Sequence, residues 1–292
     1  MSTFNPEELD LEQLPMLGRG VWGSVLDLGD GTVLKLGKRS GGIGDGHEKF
    51  RHEAMVLDRL AQVTSPIGPL LPVVVEWDVL NQAIQFEGEP HTIWMRQTKL
   101  AGRLATIDQV LGMRGTERRA LAASVAESLA GLYGAFERAG IAADLRSSGG
   151  VADFQLGDIR LEAMDRERLE KFRRIAALLD PADDHPIHGD FNISNILLDN
   201  GGKVVGVVDF AETRLGRLEE DLCSITSEIP ALRQDYVERV EAASGRRVNR
   251  QALEIFEIGS DMISMILARY RFAEHSSAGR LEAEIDRRLG GV

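Results

Sequence analysis

The chain has 292 residues, 43% hydrophobic and 27% charged, with a formal net charge of −12. That length holds one large or two ordinary domains with a sizeable core, and a single cysteine, Cys223, excludes an internal disulfide or a cysteine zinc cluster. The acidity is spread along the chain, which argues against nucleic acid or an anionic membrane as partner and is compatible with a cationic substrate or with solubility alone.

No run approaches the roughly 20 apolar residues of a membrane span. The opening, MSTFNPEELDLEQL, is acidic and has no basic or apolar leader pattern, so a cytoplasmic protein is expected, as monomer or homodimer. The first hundred residues read mainly as strands. LGRGVWGSV contains Gly18-x-Gly20-x-x-Gly23. This spacing fits a dinucleotide fingerprint, a kinase-type phosphate loop or a plain turn-rich hairpin. A dinucleotide fingerprint must open a helix. Here SVLDL and TVLKL follow, flanking Gly29-Asp30-Gly31, so the glycines sit in a β-hairpin, the kinase arrangement. Ser40–Gly46, SGGIGDG, reads as a loop.

HEKFRHEAMVLDRLAQ reads as a helix. Phe50, Glu53, Leu57 and Leu60 recur at helical spacing, which puts a carboxylate on the apolar stripe, where an unpaired charge is costly. Lys35 in TVLKL shares one strand face with Val33, opposite Leu34 and Leu36. An exposed strand lysine is the plain reading; a Lys35–Glu53 pair would satisfy the buried acid. LLPVVVEW, QAIQF and HTIWMRQTKL read as three further strands. After Gly102 the pattern turns helical: Leu121, Val125, Leu129, Leu132 and Phe136 mark one helix face within 116–139. Helices are also expected over about 160–180 and much of 217–288, with an irregular insert at 140–158. The division expected is 1–98, a small β-rich lobe, and 99–292, a larger mainly helical lobe.

IHGDFNISNILLDNGGKVVGVVDF carries the chemistry. His188-Gly189-Asp190 opens a loop, Asn195 follows, and an apolar strand ends in Asp209. Singly these are turn, cap or loop residues. Together they offer a carboxylate to orient and deprotonate a hydroxyl, and hard oxygen ligands for Mg²⁺ on phosphates. With Gly216, Asp221 and Leu222, the pattern resembles the aminoglycoside phosphotransferase and choline kinase-like family, and with the glycine loop, Lys35 and Glu53 the resemblance spans about residues 14–225. It implies an α+β, bilobal protein-kinase-like fold and transfer of the γ-phosphate of ATP, or GTP, to a hydroxyl. In those terms Asp190 is the base, Asn195 and Asp209 bind Mg²⁺, His188 and Asp221 brace the catalytic loop, and Gly18, Gly20, Gly23, Lys35 and Glu53 serve the nucleotide. A hinge within Arg96–Leu100, including Gln97, Thr98 and Lys99, would meet the base through backbone groups. Ala211 replaces the glycine of Asp-Phe-Gly, and the three-glycine loop is more protein-kinase-like than in many members.

Only AETRLGRLEE separates Asp209 from Asp221, and no Ala-Pro-Glu follows. A small-molecule acceptor is therefore expected, ahead of a protein kinase or a nucleotide-binding pseudokinase. Glu212, Glu228 and Asp261 are candidates to meet a substrate amine, with solvated or helix-pairing roles as the alternative for each.

Overall fold

The computed structural model describes residues 4–20, 22–39, 45–146, 165–179, 184–270 and 275–291. The chain begins with two short turns, Pro6–Glu8 and Leu11–Gln13, and then strands β1 (Met16–Arg19), β2 (Gly23–Asp27) and β3 (Thr32–Gly37). Helix α1 (Gly46–Ala61) follows, started by the Asp45 side chain, which accepts the His47 N–H. Strands β4 (Val74–Phe86) and β5 (Glu89–Thr98) complete an antiparallel sheet of order β1-β2-β3-β5-β4.

The second region is mainly helical. It contains β6 (Arg103–Leu104), α2 (Ile107–Gly112), α3 (Gly115–Ala139), α4 (Arg166–Ala176) and β7 (His185–Ile187). Strands β8 (Ile196–Leu198), β9 (Val204–Val207) and β10 (Arg214–Gly216) come next. Helices α5 (Leu218–Glu228), α6 (Arg233–Ser244), α7 (Arg250–Tyr270) and α8 (His275–Gly291) close the chain. The β6-β8-β9 and β10-β7 ladders are small and carry the loops between them. The architecture is α+β, with the sheet first and the helices after.

Alternation along β3 decides what each face of the sheet does. Leu34 and Leu36 are fully buried with Leu11, Leu26, Phe86 and Trp94, under the amino-terminal turns. Lys35 points the other way, to the face where Phe50 and Ala54 of α1 pack on Ile93 and Met95. The α1 stripe is divided in use. Phe50 serves the sheet, whereas Val56, Leu57 and Leu60 join the large core of the helical region with Leu129, Phe136 and Ile187. Helix α1 thus belongs to both halves.

Two sequence expectations are modified. VVVEW and QAIQF are not separate strands: both lie in β4, whose register shifts between Val79 and Ile84. The strand after Lys203 ends at Val207, not at Asp209, because Asp209 takes a left-handed backbone (φ +68°) that a ladder does not accommodate. The loop expected at Ser40–Gly46 and the insert at 140–158 lie largely outside the described residues.

Candidate active site

The site is built first by burial. Glu53 is 1% exposed, and a lone carboxylate there would be prohibitive. Lys35 Nζ meets its Oε2 at 2.5 Å, and Gln97 Nε2 donates to its Oε1 at 3.2 Å. Lys35 also stands 3.7 Å from Asp209 Oδ1. Burial works to lower the Lys35 pKa, but Glu53 and then Asp209 outweigh it, and the ammonium is held above its ordinary value. The strand lysine, the helix acid and the aspartate after β9 form one charged line.

The catalytic-loop candidate lies close enough to Asp209 for Asp190 to feel its charge. Asn192 Nδ2 donates to Asp190 Oδ1 at 2.8 Å. Asn195 Nδ2 donates to Asp190 Oδ2 at 3.0 Å and to its carbonyl at 2.9 Å. Burial first, then the Asp209 carboxylate, push Asp190 up to about 7 against those hydrogen bonds. Because the Asn195 amide nitrogen is spent on Asp190, its Oδ1 is the atom left to face a cation. Asp209 keeps a half-exposed carboxylate, 44% accessible.

His188 and Asp221 set the shape of this loop. His188 is fully buried; its ring lies 5.7 Å from Phe191 and 4.7 Å from Phe210, centroid to centroid. Burial drives its pKa down to about 4, so the ring is neutral. Nε2–H then donates to Val208 O at 3.2 Å, and Nδ1 accepts the Asp190 N–H at 3.3 Å. Asp221 is also fully buried. Its carboxylate accepts the His188 N–H at 2.9 Å, the Gly189 N–H at 2.8 Å and the Tyr133 hydroxyl at 3.1 Å. Burial raises it to about 6 despite these donors, which leaves it ionised at neutral pH. Gly189 is required here: its φ is +81°, and a Cβ would stand 2.1 Å from Glu212 O.

The remaining expected residues are placed as follows. Gly18 and Gly23 lie in β1 and β2, and the Gly20 N–H donates to Gly23 O at 2.8 Å. A Cβ on Gly23 would reach 1.7 Å from Leu36 O, so this glycine is demanded by strand packing whatever else it does. In the stretch 97–99, Gln97 contributes its side chain to Glu53. The Thr98 and Lys99 N–H groups donate to Val73 O and Gly31 O, just before β4 and β3, at 2.9 Å each. Glu212 pairs with Lys49 at 2.6 Å and adds to the charge felt by Asp190. Asp261 is bonded to Arg288 at 2.9 Å, within a network in which Glu257 takes Arg288 and Arg233. Glu228 ends α5, and burial lifts it to about 7 against the Ile193 N–H.

Gln97 is expected only for its backbone, but it continues the buried row Ile93, Met95 on β5, and a polar residue in such a row signals a side-chain partner. Two contributors, Tyr133 and Arg214, escape the sequence reading. Tyr133 sits on the buried side of α3 beside Leu129 and Leu132, and a buried phenol likewise needs a partner. Arg214 Nη1 donates to Gly189 O and Glu212 O, both at 3.1 Å, while Nη2 pairs with Glu220 at 2.9 Å; no spacing announces it.

A sheet, a helix acid on a strand lysine, and a loop presenting Asp190 and Asn195 beside Asp209 define a phosphoryl-transfer enzyme of protein-kinase-like architecture. Comparison with known proteins agrees. The chain belongs to the phosphotransferase enzyme family, whose model matches residues 26–256. The fold is similar to that in the GDP and kanamycin complex of APH(2")-IIia (13% identity, TM-score 0.68, 98% of this chain and 96% of that one). It is similar also to the streptomycin-ATP-APH(2")-IIa ternary complex (16%, 0.61, 98% and 99%). A third is a thermostable APH(4)-Ia mutant with AMP-PNP and hygromycin B (16%, 0.63, 97% and 95%). A search of curated protein sequences returns no match.

Proposed function

We propose that the protein transfers the γ-phosphoryl group of Mg·ATP to a hydroxyl of a small, amine-bearing molecule. The observation that carries this reading is the line Glu53–Lys35–Asp209, ending beside an Asp190 held by Asn195. Residues 1–98 supply the nucleotide side and 99–292 the acceptor side. Lys35 neutralises the phosphates, and Glu53 with Gln97 fixes its position. Asp190 orients the acceptor hydroxyl and takes its proton; a pKa near 7 suits a base at neutral pH. Asn195 Oδ1 and the Asp209 carboxylate are hard oxygen donors and fit Mg²⁺, which keeps its other positions for water and phosphate. The metal, when bound, neutralises charge on the β- and γ-oxygens.

Of the three acids considered for the acceptor, Lys49 holds Glu212 and Arg288 holds Asp261. Glu228 pairs with no cation among the described residues, and its Oε2 has no hydrogen-bond partner. We therefore assign acceptor-amine recognition to Glu228. The neighbouring folds include proteins with kanamycin, streptomycin and hygromycin B bound, which is why amines on a sugar scaffold lead the list of acceptors.

The test is Mg²⁺-dependent ATP consumption across aminoglycosides, amino alcohols and sugars, with a protein acceptor as control. Phosphorylation of the protein acceptor alone would overturn the small-molecule reading. Lys35→Met should raise KM for ATP and lower kcat about tenfold or more, because it removes the phosphate contact and leaves Glu53 buried against Gln97 only. Unchanged ATP kinetics in that variant would remove Lys35 from the nucleotide site.

A further inference from the structure

The segment past Asp209 is gripped from two sides. On one, Lys49 Nζ of α1 meets Glu212 Oε2 at 2.6 Å, and His52 Nε2, nearly a turn further on, donates to Thr213 O at 2.6 Å. On the other, Arg214 joins Glu212 O to Gly189 O, and Gly189 packs so closely on Glu212 O that a side chain could not fit. Residues 212–214 therefore form a spacer between α1 and the catalytic loop. Lys49 and Glu53 are four residues apart on α1, on neighbouring turns. Helix α1 thus reaches the site twice, through Glu53 to Lys35 and through Lys49 and His52 to the Asp209 segment. Asp209 needs such support, since a left-handed backbone at a non-glycine residue persists only where the surroundings hold it.

We propose that Lys49 and His52 are positioning residues that latch α1 onto the segment after Asp209, so that Lys35, Asp209 and Asp190 stand assembled before a nucleotide arrives. Kinases regulated by phosphorylation order the corresponding stretch by pairing a new phosphate with cations. Here the Glu212 carboxylate is the built-in anion and Lys49 its cation, each only about a quarter exposed, so screening weakens the pair less than at an open surface. The His52 bond to a carbonyl fixes the backbone itself and does not depend on the side chain at position 213.

The catalytic consequence rests on the phosphotransferase reading, and the experiment separates the two. Hydrogen exchange is measured on the full-length protein without nucleotide, and Mg²⁺-dependent binding of AMP-PNP by calorimetry. The variants are Lys49→Met, Lys49→Arg, His52→Phe, Lys49→Glu, and Lys49→Glu with Glu212→Lys. Lys49→Met and His52→Phe are expected to speed exchange in 210–216 together with the first turns of α1, and to weaken AMP-PNP binding about fivefold. Lys49→Arg should stay near wild type. The charge-swapped double variant should recover most of the affinity that Lys49→Glu loses. Exchange in 210–216 unchanged in both Lys49→Met and His52→Phe overturns the latch, and so does faster exchange spread evenly over the chain. A wild type that binds no AMP-PNP counts against the phosphotransferase reading instead, and the exchange data alone then decide the latch.

Discussion

Asp190→Asn is expected to lower kcat about a hundredfold to ten-thousandfold with whichever acceptor the wild type turns over, and to leave the Kd for Mg·ATP within about threefold. The substitution keeps the shape of the side chain and removes its basicity. An amide cannot take the hydroxyl proton, so the loss falls on the chemical step. In the proposed reading, nucleotide binding rests on other groups: Lys35 with Glu53, and Asp209, none of which is a hydrogen-bond partner of Asp190. The variant has one local cost. Asn192 Nδ2 and Asn195 Nδ2 both donate to the Asp190 carboxylate, and an amide there can accept only on one side, so one bond of about 1 kcal/mol is lost. Full turnover in Asp190→Asn would remove Asp190 from the role of base. Loss of ATP binding together with turnover would make it a nucleotide ligand instead.

The grammar of this site was largely readable in the chain because its parts are local. A glycine-bearing hairpin, an acid in an apolar helical stripe, and a histidine-to-asparagine loop before an apolar strand are each written within a dozen or so residues. Their roles can be argued before any contact is known. Less was readable where partners are remote or where backbone, not side chain, decides. Tyr133 meets Asp221 across 88 positions, and Lys49 meets Glu212 across 163. No periodicity links such pairs. The apolar pattern places the end of β9 two residues too late for a different reason. Valines up to Val208 look like strand, but the φ of Asp209 stops the ladder, and sequence pattern carries little information on a single left-handed residue. Gln97 shows the reverse case. It lies in a stretch where backbone contacts to a base are expected, yet its side chain turns inward, because Glu53 offers a second carboxylate oxygen that burial would otherwise leave unpaired.

Asp221→Ala should be the most damaging single change to stability, costing about 3–5 kcal/mol and lowering Tm by on the order of 10 °C. Asp221 is fully buried, and three donors converge on it: the successive backbone N–H groups of His188 and Gly189 and the phenol of Tyr133. Alanine strands all three in a site that water does not reach. Asp221→Asn is the sharper test because its volume is right and its hydrogen-bond polarity is half wrong. Its Nδ2 would face a donor, so at least one of the three bonds is lost. Linkage adds a sign. The folded-state pKa of Asp221 is about 6, above its ordinary value of 3.8, so between those values the folded chain holds the proton more firmly than the unfolded chain. Ionising Asp221 therefore takes stability away as pH rises through that window, and the loss is complete above it. Asparagine has no such term. The stability gap between wild type and Asp221→Asn should then be wider near pH 4.5 than near pH 7, measured by denaturant unfolding at both. A gap that widens toward neutral pH would mean that Asp221 is stabilised as the anion more than burial opposes it, with its folded pKa below the ordinary value.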